Sequence, residues 1–477
     1  FIPKNFRFLS TPIYFSPPMT TKSQKRPLWI DIFLLAIPLI LSMIGLVIMQ
    51  FIDALFLSWY SPDAIAAVVP AGMASTLIIA TFQGTAGFTS TLVAHYIGAK
   101  KAHRAYTATW QGIYFSCIAG VIVFGVGFLA KPLFTWAGHA PEVRIFEQTY
   151  FAILCWGAIT TIIGSALSGF FSGQGKTTLL MIVQVSGLVL NALLDYVLVF
   201  GKWGAPVLGV AGAAIGTVIA QGFVALILFI LFLLFKRDDS SAWKLRGFEK
   251  TLFVRLLNFG LPNGLRFAFE MLAWTLFTFF IGRIGVSELA ATNIAFRINE
   301  FAFFPIIGLA QAVGVLVGQA QGSGNPQKTV RLTYVGFLMA EIWMISVAAL
   351  LILFPVQIYD LFRAGQTENF NIITSIGVIL LRFVAVYSLL DAGNIVFVSV
   401  LQSAGDTRWT MFFSIIAHTL FLAALAYADF IKLNIWYQWL IATVFVMIAA
   451  VTWFLRFLSG KWKTIKVIEH NVKELYG

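Results

Sequence analysis

The sequence predicts an all-α integral membrane protein with twelve transmembrane helices, arranged as two six-helix bundles related by a pseudo-two-fold axis along the membrane normal. Of its 477 residues, 59% are hydrophobic and 11% are charged, and the mean hydropathy is +0.88. Soluble domains carry about 25% charged residues, and a soluble particle cannot bury this much apolar surface. The composition therefore excludes a soluble enzyme, a disordered chain and a nucleic-acid-binding protein, although the net charge is +12.

Twelve apolar segments are long enough to cross a bilayer, which requires about 20 residues. They cover residues 33–57, 65–96, 106–130, 149–172, 177–200, 208–235, 253–281, 289–319, 330–354, 372–402, 409–428 and 436–458. The apolar runs are continuous and lack the alternation that strands of a membrane barrel show. The segments therefore predict helices.

Lysine and arginine are distributed unevenly between the two sides of this predicted topology. The termini and the even-numbered loops hold 23 of the 32 basic residues, and the odd-numbered loops hold six. Cytoplasmic loops are enriched in basic residues, so we expect a multi-pass protein of the plasma (inner) membrane with both termini in the cytoplasm. Topology and contact with anionic lipids then explain the net charge without an acidic partner.

A weak internal repeat relates the two halves of the chain. Pro38 matches Pro262 and Gly84 matches Gly308, each at a shift of 224 residues. Each half has six spans, so the repeat is parallel, and two such bundles around a cleft are typical of alternating access. The alternative is a duplicated channel or scaffold. The predicted domains are an N-terminal extension (1–28), an N-lobe (29–235), a linker (236–252), a C-lobe (253–459) and a C-terminal tail (460–477).

The first 28 residues are mixed and basic, without the apolar core of a cleavable signal peptide. Met19 directly precedes a basic stretch and would make a natural start. We expect that removing residues 1–18 leaves transport unchanged, because these residues precede the basic anchor and every span. Transport by a chain that begins at Met19, compared at matched membrane levels, tests this; loss of transport would contradict it.

Polar residues inside the N-lobe spans form the first candidate site. Each ionisable group at mid-span costs about 2.5–3.5 kcal/mol on insertion scales, so it normally faces protein or water. Asn191 and Asp195 lie four residues apart and share a helical face. Asp53 and Thr217 add a carboxylate and a hydroxyl from other spans. Such hard oxygen ligands suit a proton or a small alkali cation. The alternative is a hydrogen-bonded packing cluster.

A second candidate site lies in the C-lobe spans and contains Glu270, Asp391, Glu300 and Arg266. It is predicted to bind a coupling cation or a cationic substrate. The alternative is that Arg266 and Glu270, four residues apart, form a neutralising pair that only makes membrane insertion tolerable. The five histidines show no metal-ligand spacing, and we expect no metal site other than Na⁺ at these candidate residues.

Several motifs along the chain resemble those of a known family. They are FIDA at 51–54, YIGAKK at 96–101, NALLD at 191–195, GVAGAAIGT at 209–217 and LQSAGDT at 401–407. Their order, together with the twelve spans and the repeat, makes residues 30–460 similar to the multidrug and toxic compound extrusion (MATE) transporters, nearest to the NorM-like branch.

The resemblance implies an antiporter that expels cationic, amphipathic drugs in exchange for H⁺ or Na⁺. It implies that the N-lobe residues match the family's cation-binding or protonation cluster, and that Glu270 and Asp391 match the C-lobe cation site of the NorM-like branch. Arg266, one turn from Glu270, is a departure that could weaken this second site. The expected partners are small cationic drugs and dyes and membrane lipids, with no nucleic acid and no cofactor beyond the coupling ion, and a monomer is expected.

Two other classes of function remain as alternatives. A lipid-linked precursor flippase of the same superfamily would be expected to have more spans or a basic central cavity. An enzyme or channel is not supported, because we find no nucleophile–base set and no selectivity-filter repeat. The GQGKT run at 173–177 lacks the spacing of a phosphate-binding loop, which excludes an ATP-driven pump. Carboxylates bind H⁺ and Na⁺ alike, so the coupling ion stays open.

Overall fold

The computed structural model describes residues 26–235, 242–363 and 369–469. Within these ranges the predicted all-helical fold is confirmed, with twelve helical segments long and apolar enough to cross a membrane. The predictions made for residues 1–25, for 236–241 of the linker and for 470–477 of the tail lie outside the described residues.

Fifteen α-helices make up the described chain. They are α1 (Leu28–Tyr60), α2 (Pro62–Gly87), α3 (Thr89–Gly98), α4 (Ala102–Gly127), α5 (Ala130–Ala137), α6 (Pro141–Gly173), α7 (Thr177–Phe200), α8 (Val210–Leu234), α9 (Lys250–Ile284), α10 (Val286–Gly322), α11 (Pro326–Leu353), α12 (Pro355–Asp360), α13 (Asn369–Ser403), α14 (Thr407–Phe430) and α15 (Ile435–Leu458). Helices α2 and α3 form one span that is interrupted at Phe88, and α5 and α12 are short connecting helices that the sequence did not predict.

Local sequence explains several helix ends. Ser61 separates α1 from α2, and its Oγ accepts a hydrogen bond from the backbone N–H of Asp63. Asn325 caps α11 in the same way, and each of these two helices begins with proline. Proline is favoured at this position because the missing N–H would have no helical partner. Gly201 ends α7 in the left-handed conformation, which glycine adopts without strain.

The helices pack as two bundles with equivalent contacts. In the N-lobe (α1–α8), α1 packs on α7, α2 on α6 and α6 on α8. In the C-lobe (α9–α15), α9 packs on α14, α10 on α13 and α13 on α15. The matching pairs confirm the predicted six-plus-six arrangement. The larger hydrophobic core is shared between the lobes, and a second, smaller core lies within the C-lobe.

The lobes meet through α1, α2 and α3 on one side and α9 and α10 on the other. We call the side of the molecule where α1 begins and α15 ends the terminal side. Gly98, at the terminal-side end of α3, approaches the Gln319 backbone of α10, and Gly322 approaches the His95 backbone. A Cβ at Gly308 would lie 2.8 Å from the backbone nitrogen of Ile40. Glycine permits this close helix approach because it has no side chain.

Hydrogen bonds between the lobes also lie on the terminal side. His95 Nε2 is 2.8 Å from the Ser403 carbonyl oxygen, and Gln319 Nε2 donates to the Gly173 carbonyl at 2.9 Å. The lobes are therefore closed against each other on the terminal side. The N-lobe candidates Asp53 and Asp195 lie in the opposite halves of α1 and α7.

Candidate functional site

The N-lobe cluster is built by residues of α1, α7 and α8. Helix α7 carries Asn191 and Asp195, and both side chains are fully buried. Asn191 Nδ2 donates to Asp195 Oδ1 at 3.4 Å, as their shared helical face predicts. Helix α1 places the partly buried Asp53 so that its carboxyl group lies within hydrogen-bonding reach of that of Asp195. The structure thus brings both predicted N-lobe acids together.

The cluster retains unused oxygen acceptors. Asp53 Oδ1, Asn191 Oδ1 and Asp195 Oδ2 are buried, and within the described part of the chain none of them receives a hydrogen bond from an amide or hydroxyl donor. Two carboxylates this close repel each other unless a proton or a cation lies between them. Buried polar atoms without partners are rare in native proteins and require an explanation. These oxygens fit a bound proton or a small cation.

Thr217, the fourth predicted member, lies on α8 beside this cluster. Its Oγ1 donates to the Ala213 carbonyl at 3.0 Å, one turn earlier in its own helix. The neighbouring Gly216 faces Asp195 directly, because a Cβ at this position would overlap Asp195 Oδ1. The hydroxyl of Thr217 is thus held by its own helix, and Gly216 allows α8 to approach the carboxyl group of Asp195 closely.

Two residues near the cluster were missed from the sequence. Tyr150 of α6 is buried and close enough to interact electrostatically with both Asp53 and Asp195. Gly216 lies inside a small-residue run that also suits simple helix packing. No sequence pattern points to Tyr150, since its proximity depends on how α6 packs against the other helices of the lobe.

The C-lobe residues form a second group, in which an arginine is paired with one of the acids. Arg266 Nη1 donates to Glu270 Oε2 at 2.6 Å, as their spacing along α9 predicts. Asp391 of α13 is buried and interacts electrostatically with Glu270. His418 of α14, which was not predicted, interacts with both Arg266 and Glu270.

Asp391 is also held by its own helix. Asn394 Nδ2 donates to Asp391 Oδ1 at 3.0 Å, and Trp453 Nε1 of α15 donates to Asn394 Oδ1 at 2.7 Å. Glu300, the remaining predicted member, is instead paired with Arg297 at 3.1 Å, and the Arg297 side chain is 63% exposed. The structure therefore groups Arg266, Glu270 and Asp391, whereas Glu300 has a separate and more exposed partner.

Comparison with known proteins identifies the family of this chain. The family model described as MatE matches residues 38–197 and 262–428, which is more than half of the chain and includes part of each lobe. This chain belongs to the MatE family. The family resemblance drawn from the motifs is thereby confirmed.

Curated relatives of this MatE-family protein carry the NorM name. The "Probable multidrug resistance protein NorM" of Rhizobium meliloti is 26% identical over 397 residues, covering 80% of this chain and 83% of that protein. The "Multidrug resistance protein NorM" of Burkholderia vietnamiensis is 27% identical over 384 residues, with the same two coverages. These similarities agree with the predicted NorM-like branch.

Solved structures support the fold of the MatE-family protein. A structure described as "Outward-facing conformation of a multidrug resistance MATE family transporter of the MOP superfamily" superposes with a TM-score of 0.80 at 23% identity, covering 92% of this chain and 98% of that chain. A MOP superfamily transporter from Pyrococcus furiosus gives the same TM-score, identity and coverages. The twelve-span fold is therefore the one seen in MATE transporters.

The contact of Gly216 with Asp195 gives a test of the cluster geometry in this MatE-family protein. In Gly216→Ala the added methyl group must displace the carboxyl group of Asp195. We expect efflux to fall about fivefold, equivalent to ~1 kcal/mol of lost coupling. The matched control is Gly222→Ala on the same helix, where a Cβ would make an ordinary 3.5 Å contact with Thr160. Equal dye efflux by the two variants at matched expression would show that the position of Asp195 is not critical.

Proposed function

We propose that this MatE-family protein is a secondary active multidrug efflux transporter that exports cationic, amphipathic compounds in exchange for H⁺ or Na⁺ by alternating access. The observation that carries the proposal is the pair Asp53 and Asp195, two acids in contact inside the membrane-spanning part, with buried oxygens that lack a donor. The multidrug resistance names of the relatives support the same assignment.

The coupling follows from competition for negative charge. A proton or Na⁺ at the Asp53–Asp195 pair removes the repulsion between the two carboxylates, and a cationic drug in the cleft would gain from the same negative charge. A ligand shifts a conformational equilibrium only through different affinities for the two states. The ion and the drug therefore compete for the negative charge of one cluster, and replacement of one by the other can drive the cycle.

The surfaces between the lobes suit lipophilic substrates. An apolar groove between α2 and α9 is lined by side chains that include Leu77, Phe82, Phe269 and Leu272. Flat apolar cations gain from burial against such side chains and from cation–π attraction to aromatic rings. We take the terminal side to be cytoplasmic because the basic residues are concentrated there. Closure on that side then corresponds to a state open to the exterior.

Efflux from vesicles tests the proposal. Protein reconstituted with ethidium is exposed to an imposed pH gradient or to an imposed sodium gradient of the same magnitude. We expect one of the two gradients to drive dye movement against its concentration gradient, with the more effective gradient identifying the coupling ion. Movement that depends on neither gradient would contradict secondary active transport. Tighter binding of an anionic dye than of ethidium would contradict cation selectivity.

A further inference from the structure

Residues 461–469, which we call the C-terminal strap, follow the last helix and pack against the C-lobe. Trp462 is fully buried, stacks on Phe457 with ring centroids 5.3 Å apart, and donates from Nε1 to the Phe457 carbonyl at 2.9 Å. Val467 is buried against Gly405, whose φ of +93° and lack of space for a Cβ both require glycine. The strap is therefore fixed to the C-lobe.

The last described residue of the strap, Glu469, is held by the N-lobe. Tyr96 Oη donates to Glu469 Oε2 at 2.7 Å, and Arg104 Nη2 donates to Oε1 at 2.6 Å. Lys101 Nζ donates to the Glu469 backbone carbonyl at 3.0 Å. From the C-lobe, Arg255 Nη1 of α9 also donates to Glu469 Oε2, at 3.2 Å. A carboxylate only 5% exposed thus joins both lobes on the terminal side.

The charges around Glu469 keep its carboxylate ionised. Burial alone would raise its pKa, but hydrogen bonds from Tyr96 and Arg104 and the charge of Arg255 lower the pKa to about 2, from an ordinary value of 4.5. Because the folded-state pKa is lowered, the stabilisation is fully present above pH 4.5 and is lost only as the pH falls toward 2. Acidification within the physiological range therefore does not release this contact.

We propose that Glu469 is a positioning residue of the transport cycle, whose carboxylate holds the two lobes together on the terminal side and must leave Tyr96 and Arg104 before that side opens. When the lobes separate, Glu469 loses the side-chain donors Tyr96 and Arg104 and keeps only Arg255 of its own lobe. Removing partners from a buried carboxylate is unfavourable, so this contact opposes separation. The inference rests on the alternating access proposed above. It adds to that cycle a contact between a residue that follows the last transmembrane helix and residues at the terminal-side ends of three spans.

A distance measurement tests this role without drug or coupling ion. Spin labels are attached at Lys100→Cys in the N-lobe and Gln327→Cys in the C-lobe, both on the terminal side. The exposed Cys117 is replaced by serine so that it is not labelled, whereas Cys155 is buried and is kept. We expect Glu469→Gln to add a population with a longer interlobe distance, occupied about tenfold more than in the parent protein. Tyr96→Phe, which removes one hydrogen bond, is expected to shift the distribution in the same direction by less.

The matched control is Asp360→Asn, which neutralises an exposed carboxylate paired with Arg363 at the far end of the C-lobe. Its distance distribution should match that of the parent. A Glu469→Gln distribution that superimposes on the parent, or an equal shift in Asp360→Asn, would overturn the proposal. If Glu469→Gln does not insert stably, an unshifted distribution in Tyr96→Phe would overturn it. Alternating access is judged separately, by whether ethidium adds the longer distance in the parent protein.

Discussion

Replacing Asp195 by asparagine is expected to abolish ion-coupled efflux while leaving the protein folded in the membrane. The Asp195→Asn change keeps the size of the side chain and its capacity for hydrogen bonding with Asn191, so the loss of packing should be small. It removes the charge that a proton or Na⁺ neutralises beside Asp53. Dye efflux should fall to the level of empty vesicles across pH 6–8, with and without sodium.

The control for this variant is Glu341→Gln, which removes a partly buried carboxylate from α11 in the other lobe. We expect it to retain efflux with the ion dependence of the parent. If Asp195→Asn transports like the parent with an unchanged ion dependence, the N-lobe acids are a packing cluster. Coupling would then be sought at Glu270 and Asp391.

Gly264→Ala is expected to reduce efflux about tenfold or more by preventing the lobes from closing on the terminal side. A Cβ at Gly264 of α9 would overlap the carbonyl oxygen of Thr81 in α2 and would lie 2.7 Å from Thr85 Oγ1. Backbone atoms cannot move aside as a flexible side chain can, and overpacking costs about 1–3 kcal/mol. That cost falls on the closed state, so its population relative to the open state should decrease roughly 5- to 150-fold.

Gly87→Ala provides the matched control, since it adds the same methyl group to α2 at a position with no atom within 4 Å. Initial rates of ethidium efflux and the interlobe distance between labels at Lys100→Cys and Gln327→Cys should separate the two variants. Gly87→Ala should behave like the parent, whereas Gly264→Ala should show the longer distance. Equal efflux rates would mean that close approach of α2 and α9 is not needed for transport.

The sequence predicted part of the N-lobe cluster because that part is local. Asn191 and Asp195 share a face by helical spacing alone, and the hydrogen bond between them follows. Asp53 could be assigned to the cluster because intramembrane acids seek polar partners. Tyr150 and Gly216 could not be assigned, because their proximity to Asp195 depends on the rotation and depth of α6 and α8.

The C-lobe shows the same division between local and long-range contacts. The pairs Arg266–Glu270 and Arg297–Glu300 lie three or four residues apart on their helices, and both form ion pairs. The approach of Glu270 to Asp391 joins α9 and α13, and these two residues are more than 100 positions apart in the sequence. Residue spacing likewise could not predict that Glu300 lies apart from Glu270 and Asp391.

By itself the sequence determined that the protein is embedded in a membrane, that it has twelve helical spans in two halves, and that it is similar to the MATE family. These features depend on the length and hydropathy of continuous segments and on motif order, which are properties of the linear sequence. The tertiary structure alone decided that the lobes close on the terminal side, which glycines permit their contact, and that Glu469 joins them. These features depend on distances between residues remote in sequence, and such distances are set by the tilt, rotation and packing of helices against one another.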